Sequence, residues 1–157
     1  MAQVSIDTPL GIATVFGDQS GITAIHVQDI GDVSDEIPTE LLTAVNQLNE
    51  YFSGLRTAFD LPIKPKGTPF QQKVWKALCE IPFGKTISYL DLAKQLGDPK
   101  AIRAVASANG KNPLWIIIPC HRVIGSDGSL TGYAGGLRRK EWLLRHECPM
   151  KQQKLFE

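Results

Sequence analysis

The sequence predicts an α+β fold, with a small N-terminal antiparallel sheet and a helix, followed by a mainly helical C-terminal domain that contains a helix-turn-helix. Three observations support this prediction. Short β-rich segments alternate with turn signals over the first 27 residues, apolar residues recur at helical spacing after residue 68, and acidic and basic residues separate between the two regions. We therefore divide the chain into an N-terminal domain, residues 1–62, and a C-terminal domain, residues 63–157.

The N-terminal domain is predicted to hold three hairpin-linked strands and one helix. The strands cover residues 4–6, 12–16 and 22–27, and glycine-containing turns separate them. Apolar spacing predicts a helix over residues 39–52, with Gly54 as its C-terminal stop. Residues 54–67 contain two prolines and two glycines and are predicted to be a partly extended linker.

Four helices are predicted in the C-terminal domain, with spans near 69–81, 88–97, 99–110 and 137–147. Capping residues mark their starts: Thr68 precedes Pro69 at the first helical position, and Ser88 lies three residues before Asp91. A three-residue turn, Gly97 to Pro99, joins the second and third helices. Two short helices with this turn chemistry are typical of a helix-turn-helix.

The third of these helices has the features of a nucleic-acid reader. Its alanines make one face low enough for a large surface to approach, and Lys100 and Arg103 project from its first turns. An ordinary alanine-rich packing helix is the alternative. Charge favours the first interpretation, because residues 1–62 hold one basic and nine acidic residues, a net of −8, whereas residues 63–157 hold 16 basic and 7 acidic ones, a net of +9.

Composition narrows the class of protein further. The longest apolar run, residues 114–118, is far too short for a membrane span, and the N-terminus lacks a signal-peptide pattern, so we expect a cytoplasmic protein. Three cysteines at irregular spacing argue against a disulfide framework and against a structural zinc site. We expect no metal and no cofactor.

The segment that carries the chemistry is Pro119-Cys120-His121-Arg122. Three branched apolar residues at 116–118 predict a short buried strand, and Pro119 would end it so that Cys120 stands at a strand end. A thiol beside an imidazole and a guanidinium is expected to have a lowered pKa and to act as a nucleophile. The alternative is a small buried hydrophobic residue, as most free cysteines are.

A hydrogen-bonded relay would activate this thiol. Adjacent side chains in an extended chain point to opposite sides, so Cys120 and His121 would need a bridging water. Glu147 lies at the end of the last helix, against the helix dipole, which suggests a tertiary task such as orienting the imidazole. A cysteine hydrolase fits this chemistry but leaves the helix-turn-helix and the charge separation unexplained. Glycine-rich loops follow the segment, and Tyr133 within them offers a face for a flat ring.

The motifs together resemble one family, the O6-alkylguanine-DNA alkyltransferases, or methylated-DNA-protein-cysteine methyltransferases. They are Asn112-Pro113, Pro119-Cys120-His121-Arg122-Val123, Gly132-Tyr133-Ala134-Gly135-Gly136 and Lys140-Glu141-Trp142-Leu143-Leu144. The resemblance runs from about residue 68 to residue 147 and is specific, whereas the first 60 or so residues resemble the family only in layout.

The resemblance implies direct DNA repair: an alkylated guanine is flipped out of duplex DNA, and its alkyl group moves irreversibly to Cys120 in a single turnover. His121 would take the thiol proton through water, Glu147 would hold His121, and Asn112 would brace the nucleophile segment. Tyr89 would help to rotate the phosphate and would donate to the guanine ring. Activity on O4-alkylthymine stays open.

The resemblance also implies residues that bind the base and the DNA. The carbonyls of Cys120 and Val123 would accept from the guanine amine, and Tyr133 would flank the base. Ala134 and Trp115 stand where some relatives have serine and proline, so Ala134 would offer only its backbone amide and Trp115 could narrow the pocket. DNA contacts are assigned to three basic residues, Lys100, Arg103 and Arg122. Of these, Arg103 would be the finger that fills the space the flipped base leaves.

Two other classes compete with this interpretation. Alkyltransferase-like damage sensors bind alkylated DNA without transfer, but they lack the acceptor cysteine that this chain has at Cys120. A plain DNA-binding regulator has no need for the segment around Cys120. We expect double-stranded DNA with alkylated bases as the partner, no membrane association and a monomer.

Overall fold

The computed structural model describes residues 1–130, 133 and 136–148. The chain divides into two compact units. The first contains residues 1–66 together with 113–115, and the second contains residues 67–112 together with the described residues from 116 onward.

The first unit is built on a three-stranded antiparallel sheet in the order β1-β2-β3. Its strands are β1 (Ala2–Thr8), β2 (Gly11–Asp18) and β3 (Gly21–Gln28), in a register that places Val15 between Val4 and Ile25. Those three side chains are buried, as alternation along a half-buried sheet requires. A short 3-10 turn leads into α1 (Leu42–Phe52), whose apolar side chains complete the core of the unit. The predicted strands and helix are confirmed.

The predicted linker is instead part of the first unit. The amide of Ile22 donates to the carbonyl of Pro62 at 2.9 Å, and the amide of Lys64 donates back to Ile22 at 2.8 Å, so the segment runs parallel to β3. The Gln47 side chain bonds to both the amide and the carbonyl of Asp60. Proline and glycine content indicated irregular backbone, but it carried no information on these long-range hydrogen bonds.

The second unit contains four α-helices and a parallel pair of short strands. The helices are α2 (Pro69–Leu78), α3 (Tyr89–Gln95), α4 (Ile102–Gly110) and α5 (Leu137–Glu147), and the strands are β4 (Ile87–Ser88) and β5 (Val123–Ile124). Thr68 and Gln71 form a full capping box at the start of α2, and Ser88 caps α3. Within the described part of the chain, every helix is too short or too polar to span a bilayer.

The helix-turn-helix prediction is confirmed by α3, the turn after it and α4. Gly97 has φ +95°, a left-handed conformation that glycine adopts without strain. The Asp98 side chain accepts from the amide of Lys100 at 2.9 Å and begins a 3-10 turn that leads into α4. This turn fixes the start of α4, where Lys100 and Arg103 are exposed.

The strand predicted over residues 116–118 is wrong. These residues form a buried turn, with Ile116 at φ 71°, and the amide of Cys120 donates to the carbonyl of Ile118 at 2.8 Å. The Asn112 side chain donates to the same carbonyl at 2.7 Å. A run of branched apolar residues signals burial, which is present, but the hydrogen bonds of Asn112 and the two flanking prolines set a turn instead.

Candidate active site

Cys120 lies on a short 3-10 helix, Cys120–Arg122, between the buried turn and β5. Strand β5 pairs with β4, which leads directly into Tyr89 at the start of α3. Helix α5 completes the surroundings, because its buried stripe includes Lys140 and Glu147 at helical spacing with Leu143 and Leu144. The site is thus assembled from five elements of the second unit: the 3-10 helix, β4, β5, α3 and α5.

The centre of the site is a buried cluster of His121, Glu147 and Arg122. Nε2 of His121 lies 2.7 Å from Oε2 of Glu147. Arg122 donates to both carboxylate oxygens, from Nε at 2.8 Å and from Nη2 at 2.9 Å, and its Nη1 donates to the carbonyl of Ile81 at 2.6 Å. This is a bidentate, charge-assisted pair in a water-poor environment. It places Glu147 where the sequence predicted, against the imidazole.

The charges in this cluster follow from its geometry. Burial raises the pKa of Glu147, but the hydrogen bonds and charges of His121 and Arg122 outweigh it and hold that pKa well below its usual range. Burial lowers the pKa of His121 despite the carboxylate, and Arg122 and Lys140 act in the same direction. Glu147 is therefore an anion and His121 is neutral at pH 7.

This state fixes the tautomer of His121. A carboxylate can only accept, so Nε2 carries the hydrogen that donates to Glu147. Nδ1 is then left with its lone pair. It is buried, and within the described residues it has no hydrogen-bond partner. The imidazole is thus arranged to take up a proton at Nδ1, with the anionic Glu147 behind it to stabilise the cation that results.

The expected lowering of the Cys120 pKa is wrong. The residue is only 3% exposed, and burial raises the pKa of its thiol to about 11, against a hydrogen bond from Asn112 and the charge of Lys140. The sequence argument counted two neighbouring cations, but Arg122 is neutralised by Glu147 and His121 is uncharged. At neutral pH the thiol keeps its proton, so nucleophilic attack requires a base.

Lys140 is a site residue that the sequence analysis did not identify. It is completely buried, and its Nζ donates to the carbonyl of Val123 at 2.6 Å. Nζ also lies 5.7 Å from the ring centre of Tyr89 and 6.0 Å from that of Tyr133. Burial lowers its pKa to about 8, so it is still mostly a cation at pH 7. A lysine within the apolar stripe of α5 was the signal that could have revealed it.

Asn109 is a second residue that the sequence analysis missed. It lies in the last turn of α4, is fully buried, and donates from Nδ2 to the carbonyl of Cys120 at 3.4 Å. The neighbouring Ala108 carbonyl accepts from the indole of Trp75 at 2.9 Å, which fixes this end of the helix. A buried asparagine in an alanine-rich helix was the available signal.

The structure brings most of the predicted site residues together around Cys120. Asn112 bonds to its thiol, and Val123 contributes a carbonyl that already holds Lys140 but has a second lone pair. Tyr89 and Tyr133 are buried, and both rings lie within about 6 Å of Nζ of Lys140. Ala134 lies outside the described residues.

Two further predicted site residues are Arg122 and Trp115. Arg122 was assigned to DNA binding, but its side chain is 9% exposed and its guanidinium is bonded to Glu147 and Ile81. We correct this assignment: Arg122 holds Glu147 in the site. Trp115 belongs to the first unit, where it is buried and its ring lies 6.0 Å from that of Phe52. A role for Trp115 in substrate binding stays a prediction.

Comparisons with known protein families match both halves of the chain. Residues 69–148 match the DNA-binding domain of 6-O-methylguanine DNA methyltransferase, and residues 1–65 match its ribonuclease-like domain. Among curated relatives, the methylated-DNA–protein-cysteine methyltransferase of Methanosarcina barkeri is 48% identical over 90% of this chain and 94% of its own. The protein of that name from Methanosarcina mazei is 59% identical, with the same coverage.

Solved structures agree with these matches. The O6-methylguanine methyltransferase of Mycobacterium tuberculosis superposes with a TM-score of 0.84 at 44% identity, covering 99% of this chain and 98% of that one. A structure of the protein from the same organism in complex with DNA gives a TM-score of 0.83 at 46% identity, with 98% of each chain covered.

Proposed function

The chain belongs to the 6-O-methylguanine DNA methyltransferase family, and we propose that Cys120 is the residue that accepts the alkyl group. The protein repairs DNA directly, by moving the alkyl group of O6-alkylguanine from the base to one of its own cysteines. A damage sensor without transfer activity is not supported, because the close relatives bear the name of the methyltransferase and Cys120 is present.

The observation that carries the assignment is the buried series Cys120, His121, Glu147. The Cys120 thiol is protonated at rest. The next residue, His121, is a neutral imidazole whose Nδ1 lone pair has no partner among the described residues. We infer that a water takes the thiol proton and passes one of its own to Nδ1, while Glu147 stabilises the resulting imidazolium. The sulfur attacks the alkyl carbon, so that a carbon–sulfur bond forms as the bond from carbon to O6 breaks.

The leaving guanine takes the electron pair of the broken bond. Tyr89 is proposed to donate to the guanine ring. Lys140, whose Nζ lies 5.7 Å from the centre of the Tyr89 ring, supplies a positive charge close to that donor. Carbonyl oxygens of Cys120 and Val123 are proposed to accept from the exocyclic amine, and Tyr133 to flank the base. The thioether product contains no group that the site can hydrolyse, so each molecule acts once.

Access to the base requires that it leave the helical stack, because the sulfur cannot align behind the alkyl carbon inside a duplex. Helix α4 is suited to this task, since Arg103 and Ala104 are exposed on it and Lys100 is exposed in the 3-10 turn that leads into it. We propose that Arg103 fills the space that the flipped base leaves and that Lys100 contacts phosphate. Duplex DNA with an alkylated guanine is the proposed partner.

We also propose that the protein acts as a monomer in the cytoplasm. One chain contains Cys120, His121, Glu147 and Lys140, so the chemistry requires no second subunit.

Replacing each cysteine in turn tests the acceptor. Cys120→Ser keeps the side chain small but supplies a much poorer nucleophile, so the variant should bind alkylated duplex DNA like the wild type and transfer nothing. Cys79→Ser and Cys148→Ser are the matched controls and should transfer normally. A labelled alkyl group, followed by peptide mapping, gives the readout. Label on Cys79 or Cys148, or transfer by the Cys120 variant, would overturn the assignment.

A further inference from the structure

Two residues next to Cys120, one following it in the chain and one bonded to its carbonyl, have a buried acceptor atom without a hydrogen-bond partner among the described residues. These atoms are Nδ1 of His121, discussed above, and Oδ1 of Asn109. Buried polar atoms are nearly always hydrogen-bonded, and an unpaired buried acceptor is costly. The bond from Nδ2 to the Cys120 carbonyl accounts for the nitrogen of Asn109 but leaves its buried oxygen without an explanation.

The hydrogen bond of Asn109 places this oxygen near the backbone of Cys120. Nδ2 of Asn109 lies 3.4 Å from the carbonyl oxygen of Cys120. Within an amide the oxygen is about 2.3 Å from the nitrogen, so Oδ1 is within roughly 6 Å of that carbonyl. Nδ2 must face the carbonyl because only the nitrogen can donate, which leaves Oδ1 as a pure acceptor. The helix end that carries Asn109 is fixed by the bond from Trp75 to Ala108.

We propose that Asn109 orients the water that relays the thiol proton to His121, as a positioning residue for the transfer reaction. This inference rests on the proposed function, which needs that water. A water has two hydrogens to donate, and the two orphaned acceptors match them: one hydrogen goes to Oδ1 of Asn109 and the other to Nδ1 of His121. Buried waters make about three hydrogen bonds, and the third comes from the thiol of Cys120.

The arrangement gives the relay its direction. With both hydrogens held, a lone pair of the water faces the thiol. In the reaction the sulfur–hydrogen bond breaks and the water gains that proton, while the water's own hydrogen moves to Nδ1. The hydrogen bonded to Asn109 stays in place, so the water is regenerated. Asn109 never exchanges a proton; it acts only by keeping the water in the productive orientation.

The test is the rate of transfer from a free O6-alkylguanine base, which avoids any effect of α4 on DNA binding, measured against pH. Between pH 7 and pH 9 His121 stays neutral in the wild type while Lys140, with a pKa of about 8, loses its charge, so the rate of each variant is read as a ratio to the wild-type rate at the same pH. In Asn109→Leu the water loses an anchor, and only thiol that has already ionised reacts. The variant should be slower by about tenfold or more at pH 7 and should approach the wild type to within about threefold near pH 9.

A second variant keeps the test decisive if Asn109→Leu folds poorly. Asn109→Gln keeps both an acceptor oxygen and an amide donor for the Cys120 carbonyl and adds no charge, so it should keep the rate at pH 7 within about threefold of the wild type. The control is Asn46→Leu, an exposed change on α1, which should leave the profile unchanged. None of the three substitutions, Asn109→Leu, Asn109→Gln and Asn46→Leu, changes the charged groups around His121, namely Glu147, Arg122 and Lys140.

The outcomes separate this inference from the function on which it rests. If the wild type transfers but Asn109→Leu follows the wild-type curve, or is slowed equally at every pH, Asn109 does not orient the relay. Strong slowing of a folded Asn109→Gln at all pH values would also overturn it, since the acceptor and the donor were both kept. If the wild type transfers nothing to Cys120, the proposed function fails and this inference fails with it.

Discussion

Glu147→Gln should separate the structural work of the buried carboxylate from its catalytic work. The change is nearly isosteric, but it leaves the Arg122 guanidinium, 9% exposed, without a counter-charge. Removing one partner of a buried ion pair costs about 3–5 kcal/mol. For a chain of this size, each kcal/mol shifts the unfolding midpoint by about 2–4 °C, so we expect a decrease of about 6–20 °C.

The same change should slow alkyl transfer by on the order of 10²–10⁴-fold. A glutamine amide can donate to Nε2 of His121, which would move the imidazole hydrogen to Nδ1, the atom that must accept the proton. Transfer to Cys120 from methylated duplex DNA, at a temperature where the variant is folded, measures this loss. Calorimetry measures the unfolding midpoint on the same preparation.

Two further proteins make the experiment decisive. Glu141→Gln breaks the exposed pair with Arg145 on the same helix and should cost less than about 1 kcal/mol, with transfer unchanged. The double variant Arg122→Met, Glu147→Gln removes the unpaired charge, so most of the stability should return while transfer stays slow. A double variant as unstable as the single one, or full transfer activity in Glu147→Gln, would refute this reasoning.

Two other predictions concern DNA and pH. Arg103→Ala should slow transfer from duplex DNA far more than transfer from a free alkylguanine base. Arg103→Lys tests whether the charge or the shape of the side chain matters. Equal slowing of Arg103→Ala on both substrates would mean that Arg103 acts in the base pocket or in the fold. Stability should fall as the pH drops below about 6.5, because His121 is held neutral when folded and takes up a proton when unfolded. This loss should be smaller in His121→Gln and unchanged in His26→Gln, which alters an exposed residue of β3; equal acid sensitivity in all three would contradict it.

Local sequence signals predicted the secondary structure of the second unit well, because capping is local. Thr68, Ser88 and Asp98 each accept a hydrogen bond from a residue two or three positions ahead, so a short window contains the whole interaction. The turn at residues 116–118 was not predicted because it depends on a hydrogen bond from the Asn112 side chain to the carbonyl of Ile118, six residues further along the chain. The pairing of β4 with β5 joins residues 36 positions apart, Ile87 and Val123, and no local pattern encodes it.

The candidate active site likewise has features that local sequence predicts and features that depend on long-range contacts. The segment around Cys120 predicted the nucleophile that we propose, and the place of Glu147 at the end of the last helix predicted its contact with His121, which the structure contains. The thiol pKa was misjudged because sequence proximity to Arg122 says nothing about whether that charge is already paired. Lys140 and Asn109 were missed because their burial is a tertiary property.

The central claim is that Cys120 takes one alkyl group and keeps it. Intact-protein mass measured during titration with excess methylated duplex DNA tests this most directly. We predict a gain of about 14 Da per chain, all of it on Cys120, which reaches a plateau at one methyl group and does not reverse. A second methyl group, repeated turnover with the protein mass unchanged, or a modified residue other than Cys120 would contradict the account.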